Sequence, residues 1–396
     1  MPDLLFLAHR IPYPPDKGDK IRSWHLLKHL TKNWNVHLGA FVDDPDDWRH
    51  LGVLRSVCAD VKLCALDPRM RKLYSLSGLL RGEALTLPYY RHQDLAVWVR
   101  GKMGDGVDAA MVFSSAMAQY VIDFRNLRRV MDFVDIDSDK WRQYAPTKAW
   151  PLSWLYRRES GCLLAWERQV AGAFDQSFFV SAAEADDFRN LAPESGGKIS
   201  YFNNGVDAAY FDPTISYGNP FPAGARAIVF TGAMDYWPNI DAVAWFAKAV
   251  LPALRLQNPD VVFYIVGSRP SGEVKALASD AVVVTGRVED VRPYLAHATV
   301  VVAPLRIARG IQNKVLEAMA MSKTVVASPQ ALEGIAARIG EEILCAESAE
   351  EFVSELDRAM TGWNCGRAAR DRVLADYSWE SSLARLDRWL LAETPA

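Results

Sequence analysis

The chain is short of the residues that would tie it to an oxidising or metal-organised scaffold. Among 396 residues there are five cysteines and seven histidines. The cysteines fall at irregular intervals, with no Cys-x-x-Cys and no His-x-x-x-His nearby, which argues against a disulfide framework and against a structural zinc site. Charge of one sign is also scarce. A formal net charge of −3 leaves no excess for a broad nucleic-acid-binding face, so no nucleic-acid partner is expected. No stretch approaches the roughly 18 to 20 apolar residues of a membrane span. The opening Met1-Pro2-Asp3 lacks the basic leader of a signal peptide, and the apolar run behind it covers only positions 4–8. A cytoplasmic chain is the expectation, with any membrane contact peripheral and at the inner face.

What is present is a repeated pattern of short apolar runs, each too brief for a helix, separated by turn residues and helical stretches. Runs at 4–8, 36–41, 61–65, 109–113, 129–133, 177–180 and 199–202 read as strands, and the pattern starts again at 227–230, 261–266, 282–284, 300–303, 324–327 and 343–346. The length exceeds one usual core, so two α/β domains are expected. Asn203-Asn204-Gly205 supplies turn chemistry for a boundary between them. Ligand loops at the strand ends of two such domains would place a cleft between them.

The most informative stretch is 300–328. Its first strand leads into a loop where Gly310 can take a positive φ, and Ile311-Gln312-Asn313-Lys314 open a segment of strongly helical composition, Val315-Leu316-Glu317-Ala318-Met319-Ala320. Unpaired amides at such a helix start favour an anion, and Lys314 adds a full positive charge. Glu317, about one turn inside, is placed to accept two hydrogen bonds from vicinal hydroxyls such as those of a ribose. Together they would read a nucleotide diphosphate. On spacing alone, an ordinary surface i,i+3 pair explains Lys314 and Glu317 equally well.

Four other stretches carry candidate chemistry. Gly18, Lys20 and Arg22 form a glycine turn with cations at the entry to a helix, either a phosphate contact or a solvated, charged helix start. Positions 67–87 interleave Arg69, Arg71, Lys72 and Arg81 with Leu73, Tyr74, Leu76, Leu79 and Leu80; the mixture suits either an anionic membrane surface or a core-facing helix with basic ends. Asp135 and Asp137 stand at a strand end, with Asp137 or Ser138 as a candidate N-cap of the helix behind it. Gly232 lets backbone approach a ligand, with Asn239 or Asp241 as the expected cap of the next helix. Ser181 followed by Glu184 reads as a capping box.

The run Pro304 through Met321, PLRIARGIQNKVLEAMAM, resembles the nucleotide-sugar site of GT-B glycosyltransferases, especially the retaining family-four enzymes of group 1. Their motif has two glutamates eight residues apart, the second followed by Ala-Met-Ala. Glu317 and Ala318-Met319-Ala320 match its second half, whereas Arg309 stands where the first glutamate would be. That glutamate helps hold the transferred sugar, so the departure concerns the sugar end of the site. The whole run is similar to a narrower subgroup, the transferases associated with exosortase and PEP-CTERM exopolysaccharide systems. Gly18, the Asn204-Gly205-Val206-Asp207 crossover, Gly267, Gly286 and Tyr377-Ser378-Trp379-Glu380 fall in the family's order. Asp135-Ile136-Asp137 also looks like the Asp-x-Asp of the GT-A fold, a short acidic spacing that arises easily by chance.

The resemblance implies a GT-B fold with two Rossmann-like domains facing across a cleft: 1–203 on the acceptor side, 204–375 for the nucleotide sugar, and 376–396 as a helix crossing back. It implies transfer of a sugar from a nucleotide-diphosphate sugar to a glycan or lipid-linked acceptor, with retention, and with no metal and no further cofactor. Gly232, Arg287, Val288, Gly310, Ile311, Gln312, Asn313, Lys314 and Glu317 become donor-site candidates, with Arg287 and Val288 at the base. Asp135, Asp137 and Arg309 become catalytic candidates, and Gly18, Lys20 and Arg22 the acceptor-side loop. In many relatives the loop after Gly232 carries Arg and Lys for the diphosphate. Here it reads Ala233-Met234-Asp235-Tyr236-Trp237, leaving Lys314 or Arg309 to supply the charge. A sugar-nucleotide epimerase of the same fold and a catalytically silent scaffold are the rival readings.

Overall fold

The computed structural model describes residues 1–15, 18–308 and 311–390. They divide into two α/β units, one comprising Met1–Asn204 with the chain from Ser382 onward, the other Gly205–Ser381.

Seven strands build the first sheet: β1 (Asp3–Ala8), β2 (Asn35–Val42), β3 (Asp60–Ala65), β4 (Ala109–Phe113), β5 (Arg128–Val134), β6 (Gln176–Phe179) and β7 (Ile199–Tyr201). Their order is β3-β2-β1-β4-β5-β6-β7, and every pairing is parallel. The central strands are covered on both faces, so they can be apolar without alternation; Leu4, Leu5, Phe6 and Leu7 are all fully buried. The second sheet consists of β8 (Arg226–Thr231), β9 (Val261–Val266), β10 (Val282–Gly286), β11 (Val300–Ala303), β12 (Val325–Ala327) and β13 (Leu344–Cys345). It runs β10-β9-β8-β11-β12-β13, again all parallel. In each sheet the strand order reverses at one place, between β1 and β4 and between β8 and β11. Such reversals leave a crevice at the carboxyl ends of the strands.

The helix after β1 spans Gly18–Leu30. Its two cations turn inward. Lys20 is buried and donates to Asp47 at 2.6 Å. Arg22 is fully buried and grips Asp132 of β5 through Nε and Nη2 at 2.8 and 3.0 Å. Its Nη1 donates to the Phe202 carbonyl and to Asn204 Oδ1, and the guanidinium lies 3.8 Å from the Phe202 ring centre. The expectation that Lys20 or Arg22 contacts a phosphate is therefore corrected: desolvated and fully hydrogen-bonded, they brace the unit. A buried charge stays ionised only with such partners.

Capping also departs from expectation. Ser181 caps its helix by accepting from the Glu184 amide at 3.2 Å, but Glu184 turns away to accept from the Ile136 amide at 3.1 Å. Asp137 is the first residue of the helix Asp137–Tyr144 and makes no cap; the Ser138 amide and hydroxyl both go to Glu167. Burial raises Glu167 to about 8, with Ser138 opposing. The helix after β8 begins at Trp237, so Asn239 and Asp241 lie inside it and neither is its cap. Among the described residues no helix is long and apolar enough to cross a membrane, and no three His, Cys, Asp or Glu side chains gather as a metal site.

Candidate functional site

The second unit holds a cavity of about 550 Å³ at the carboxyl ends of its strands. Three loops build it. After β8, Gly232 (φ 155°) passes so close to its neighbours that an added Cβ would lie 2.8 Å from Asn239 Nδ2 and 3.1 Å from Lys314 Nζ. After β9, Gly267 packs directly on that turn, where a Cβ would come within 1.6 Å of the Gly232 carbonyl oxygen. The third wall is the loop before the helix Asn313–Ala320, whose N-cap Gln312 makes no side-chain capping bond. A helix start of this kind favours an anion.

Lys314 and Glu317 both face the cavity from that helix. Lys314 donates to Asn239 Oδ1 and sits 4.3 Å from the Phe230 ring centre. Asn239 is buried, and its Nδ2 donates to the Ala233 carbonyl at 2.8 Å, which fixes the amide and aims the ammonium. Burial depresses Lys314 to about 8, with the Glu317 charge opposing. Burial raises Glu317 to about 7, with Lys314 opposing. Among the described residues the Glu317 carboxylate has no hydrogen-bond partner. A surface ion pair does not fit: the two side chains are not within ion-pair distance, and both are partly desolvated.

The remaining donor-site candidates converge on the same space. Gly232, Arg287, Val288, Ile311, Gln312 and Asn313 line the cavity with Lys314 and Glu317. Arg287 is an exposed cation with no partner among the described residues. Arg309 and Gly310 lie outside the described residues. Lys314 places a positive charge beside the Gly232 turn, in a loop whose own Asp235 pairs with Arg269 at 3.0 Å. Asp241 is taken by Arg306. Sequence reasoning missed Asn239 as the residue that orients Lys314, and Thr231, whose buried hydroxyl has no hydrogen-bond partner among the described residues of the cavity wall. Only the position of Thr231 just before Gly232 could have signalled it.

Asp135 and Asp137 lie in the first unit, beside a separate cavity of about 490 Å³. Both accept from Lys140 Nζ, at 2.8 and 3.1 Å. Burial works against the Lys140 charge, but the two carboxylates outweigh it and hold the group above its ordinary range. Gly18 begins the helix that carries Asp19, and Asp19 lines this cavity while Lys20 and Arg22 do not. His9, missed in the sequence, faces it directly after β1. Chemically, the second unit offers amides, an ammonium and an orphan carboxylate; the first offers carboxylates and an imidazole among aromatic rings.

Residues 225–361 match the family described as glycosyl transferases group 1. No curated protein matches the chain. Solved structures share its fold over nearly the whole length: a glycosyltransferase from Rickettsia africae at 14% identity, covering 99% of each chain, with a TM-score of 0.65. Sucrose-phosphate synthase from Thermosynechococcus elongatus is similar at 18% identity, 100% of each chain and 0.63. HepE from Anabaena, in complex with UDP, is similar at 14% identity, 98% of this chain and 99% of that one, and 0.61. The fold is GT-B, with two Rossmann-like α/β domains, and the chain is a glycosyltransferase whose residues 225–361 are similar to group 1.

Proposed function

We propose that the chain moves a sugar from a nucleotide-diphosphate sugar to a glycan or lipid-linked acceptor, with retention of configuration, in the assembly of a bacterial exopolysaccharide. The observation that carries the donor half is the desolvated Glu317 carboxylate, without a hydrogen-bond partner among the described residues, in one cavity with Lys314 at a helix start. Glu317 accepts the ribose hydroxyls, the helix amides and Lys314 stabilise the diphosphate as charge develops on it, and Arg287 with Val288 borders the base. HepE has been solved with UDP and with UDP-glucose, which makes UDP the first nucleotide to try. Retention, the exopolysaccharide role and the exosortase-associated subgroup rest on the resemblance of the 304–321 run. No pair of carboxylates at glycosidase spacing is readable in the sequence, so a double displacement is not part of the proposal.

The acceptor belongs to the first unit, with Asp135 and Asp137 at the sugar. Peripheral membrane contact fits the 67–87 segment. Leu80 is 93% and Leu73 64% exposed, where a core-facing helix would bury them, although Ala84 and Leu87 at the end of the segment are buried. A second stretch, 144–158, has no Asp or Glu and lies against it: Arg158 Nη2 donates to the Gly78 carbonyl at 3.0 Å, and Trp150 and Trp154 are exposed. Tryptophan beside basic residues suits an anionic bilayer surface.

Calorimetry with UDP, GDP and ADP tests the donor half. At least one should bind, and Glu317→Ala should weaken it by roughly 1.5–3 kcal/mol, the worth of a charge-assisted hydrogen bond. Absence of binding by all three would favour the silent scaffold. The epimerase reading is tested by supplying a nucleotide sugar without acceptor and looking for an epimerised donor.

A further inference from the structure

One wall of the second unit's cavity is a loop that its own backbone does little to hold. Beyond β10, Arg287, Val288 and Glu289 make no hydrogen bond with another described residue. Yet Val288 and Val291 line the cavity and, together with Val266, supply its apolar surface. Valines on an unsupported loop would pay an ordering cost each time a planar ring settled on them. Their support comes from residues outside the cavity.

Asp290 and Arg292 flank Val291 in the chain, and neither lines the cavity. The Asp290 carboxylate accepts from the Arg292 amide at 2.9 Å, from Nε at 2.9 and 3.0 Å and from Nη2 at 2.7 Å. The guanidinium so held lies 3.8 Å from the Tyr210 ring centre and 5.5 Å from that of Tyr217. Its Nη1 donates to the Tyr210 carbonyl at 3.3 Å, and the Tyr210 hydroxyl reaches Asp290 at 3.4 Å. Tyr210 stands 80 positions ahead of Asp290, in the irregular stretch before β8. That stretch is tied to the opposite wall as well. Arg370 Nη1 donates to the Phe211 carbonyl at 2.8 Å and to the carbonyl of Ala320, the last residue of the helix Asn313–Ala320. One segment therefore braces both the loop with Val288 and the helix with Lys314 and Glu317.

We propose that Tyr210, Asp290 and Arg292 form a clamp that positions Val288 and Val291 against the nucleobase, and thereby sets which base the chain prefers. All three are positioning residues, acting through the loop. A guanidinium paired through two nitrogens with a carboxylate and covered by an aromatic ring is fixed in one orientation. Asp290 and Arg292 keep 29% and 23% of their side chains exposed, and ion pairs so open to water add little to stability. What the arrangement supplies is placement. That the ligand carries a base rests on the donor reading above; the hold on the loop does not.

The test uses the full chain, calorimetry with UDP, GDP and ADP, and amide exchange of the free protein. The original chain should prefer one nucleotide over the others by about tenfold or more. Arg292→Gln and Tyr210→Ala should each weaken that nucleotide by about tenfold and the other two by less than about threefold. Tyr210→Phe keeps a ring over the guanidinium and should bind within about twofold of the original chain. Without ligand, the two disruptive variants should speed exchange at 286–291 by about fivefold or more and leave 313–320 as it was. An equal fall for all three nucleotides, no preference in the original chain, unchanged exchange at 286–291, or a large drop in the denaturant midpoint of both disruptive variants would each overturn the proposal. If nucleotides bind and the variants keep the original preference, the clamp alone is misassigned; if none binds, the donor reading falls while the exchange rates still decide whether the clamp holds the loop.

Discussion

Lys314 and Glu317 are ionisable groups moved toward neutrality by the same burial, and the sign of each shift sets what pH does to the site. Glu317 sits at about 7 in the folded chain against an ordinary 4.5. Its cost to stability is absent below about 4.5 and complete above about 7, because the unfolded chain loses the proton first. Lys314 sits at about 8 against 10.5, so its cost is complete below about 8 and relieved as pH rises toward 10.5. Between 7 and 8 both charges are present at full cost, the state that binds a diphosphate and a ribose. Nucleotide affinity should therefore be highest there, falling above 8 as Lys314 deprotonates and below 7 as Glu317 protonates; a flat calorimetric profile from pH 6 to 9 would remove both from the site. Lys314→Met should stabilise the second unit by roughly 1–3 kcal/mol while costing most of the nucleotide affinity. A lower melting temperature in that variant would mean that the ammonium serves the fold.

At the level of the element, the donor cavity depends on two turns pressed together. Gly267 after β9 packs against the Gly232 carbonyl so closely that a Cβ would overlap it at 1.6 Å. Backbone on both sides leaves no flexible side chain to give way. Gly267→Ala should destabilise the unit by about 3 kcal/mol and abolish nucleotide binding, read from the denaturant midpoint and calorimetry. A midpoint within experimental error of the original would show that the two turns can part freely. Glu342 accepts from Arg372 Nε and Nη2 at 3.0 Å each and from the Arg338 amide and Nε at 2.8 and 2.9 Å. Burial opposes its charge, but the two arginines outweigh it and lower the group to about 2. The stability it contributes is full above about 4.5 and lost as pH falls toward 2. Glu342→Gln should flatten the acid limb of the unfolding curve in that window.

The molecule as a whole is not divided once along its chain, because the helix Trp379–Leu390 ends in the first unit although it begins in the second. Leu383, Leu386 and Leu390 are buried, Asp387 meets His29 at 2.8 Å, and Arg385 lies over the Tyr201 ring. Ending the chain at Ser381 should raise amide exchange around Gly18–Leu30 and β7 far more than around β8 to β13. Equal protection in both would show the helix to be dispensable to the first unit. The exposed apolar and basic face of residues 68–81 and 144–158 predicts sedimentation with vesicles containing phosphatidylglycerol but not with phosphatidylcholine alone. Leu80→Asp with Trp150→Ser should abolish it without changing nucleotide affinity. Persistence of vesicle binding in that double variant would place any membrane contact elsewhere.

Local sequence determined a great deal here. All thirteen strands were readable from short apolar runs, because strands of a sheet covered on both faces need no alternation. The donor helix was readable because composition, a turn glycine and Lys314 with Glu317 fall within eight consecutive positions. What only the tertiary structure decided was the fate of groups whose partners are distant in sequence. Arg22 looked like a free cation until Asp132, 110 residues away, took it. Asn239 looked like a cap until Lys314, 75 residues away, needed an acceptor. His9 carried no motif at all, and its place between Asp19 and Phe113 exists only once β1 and β4 pair. Backbone preference is set by neighbours in the chain, whereas the desolvation and pairing of a charge are set by whatever the fold brings beside it.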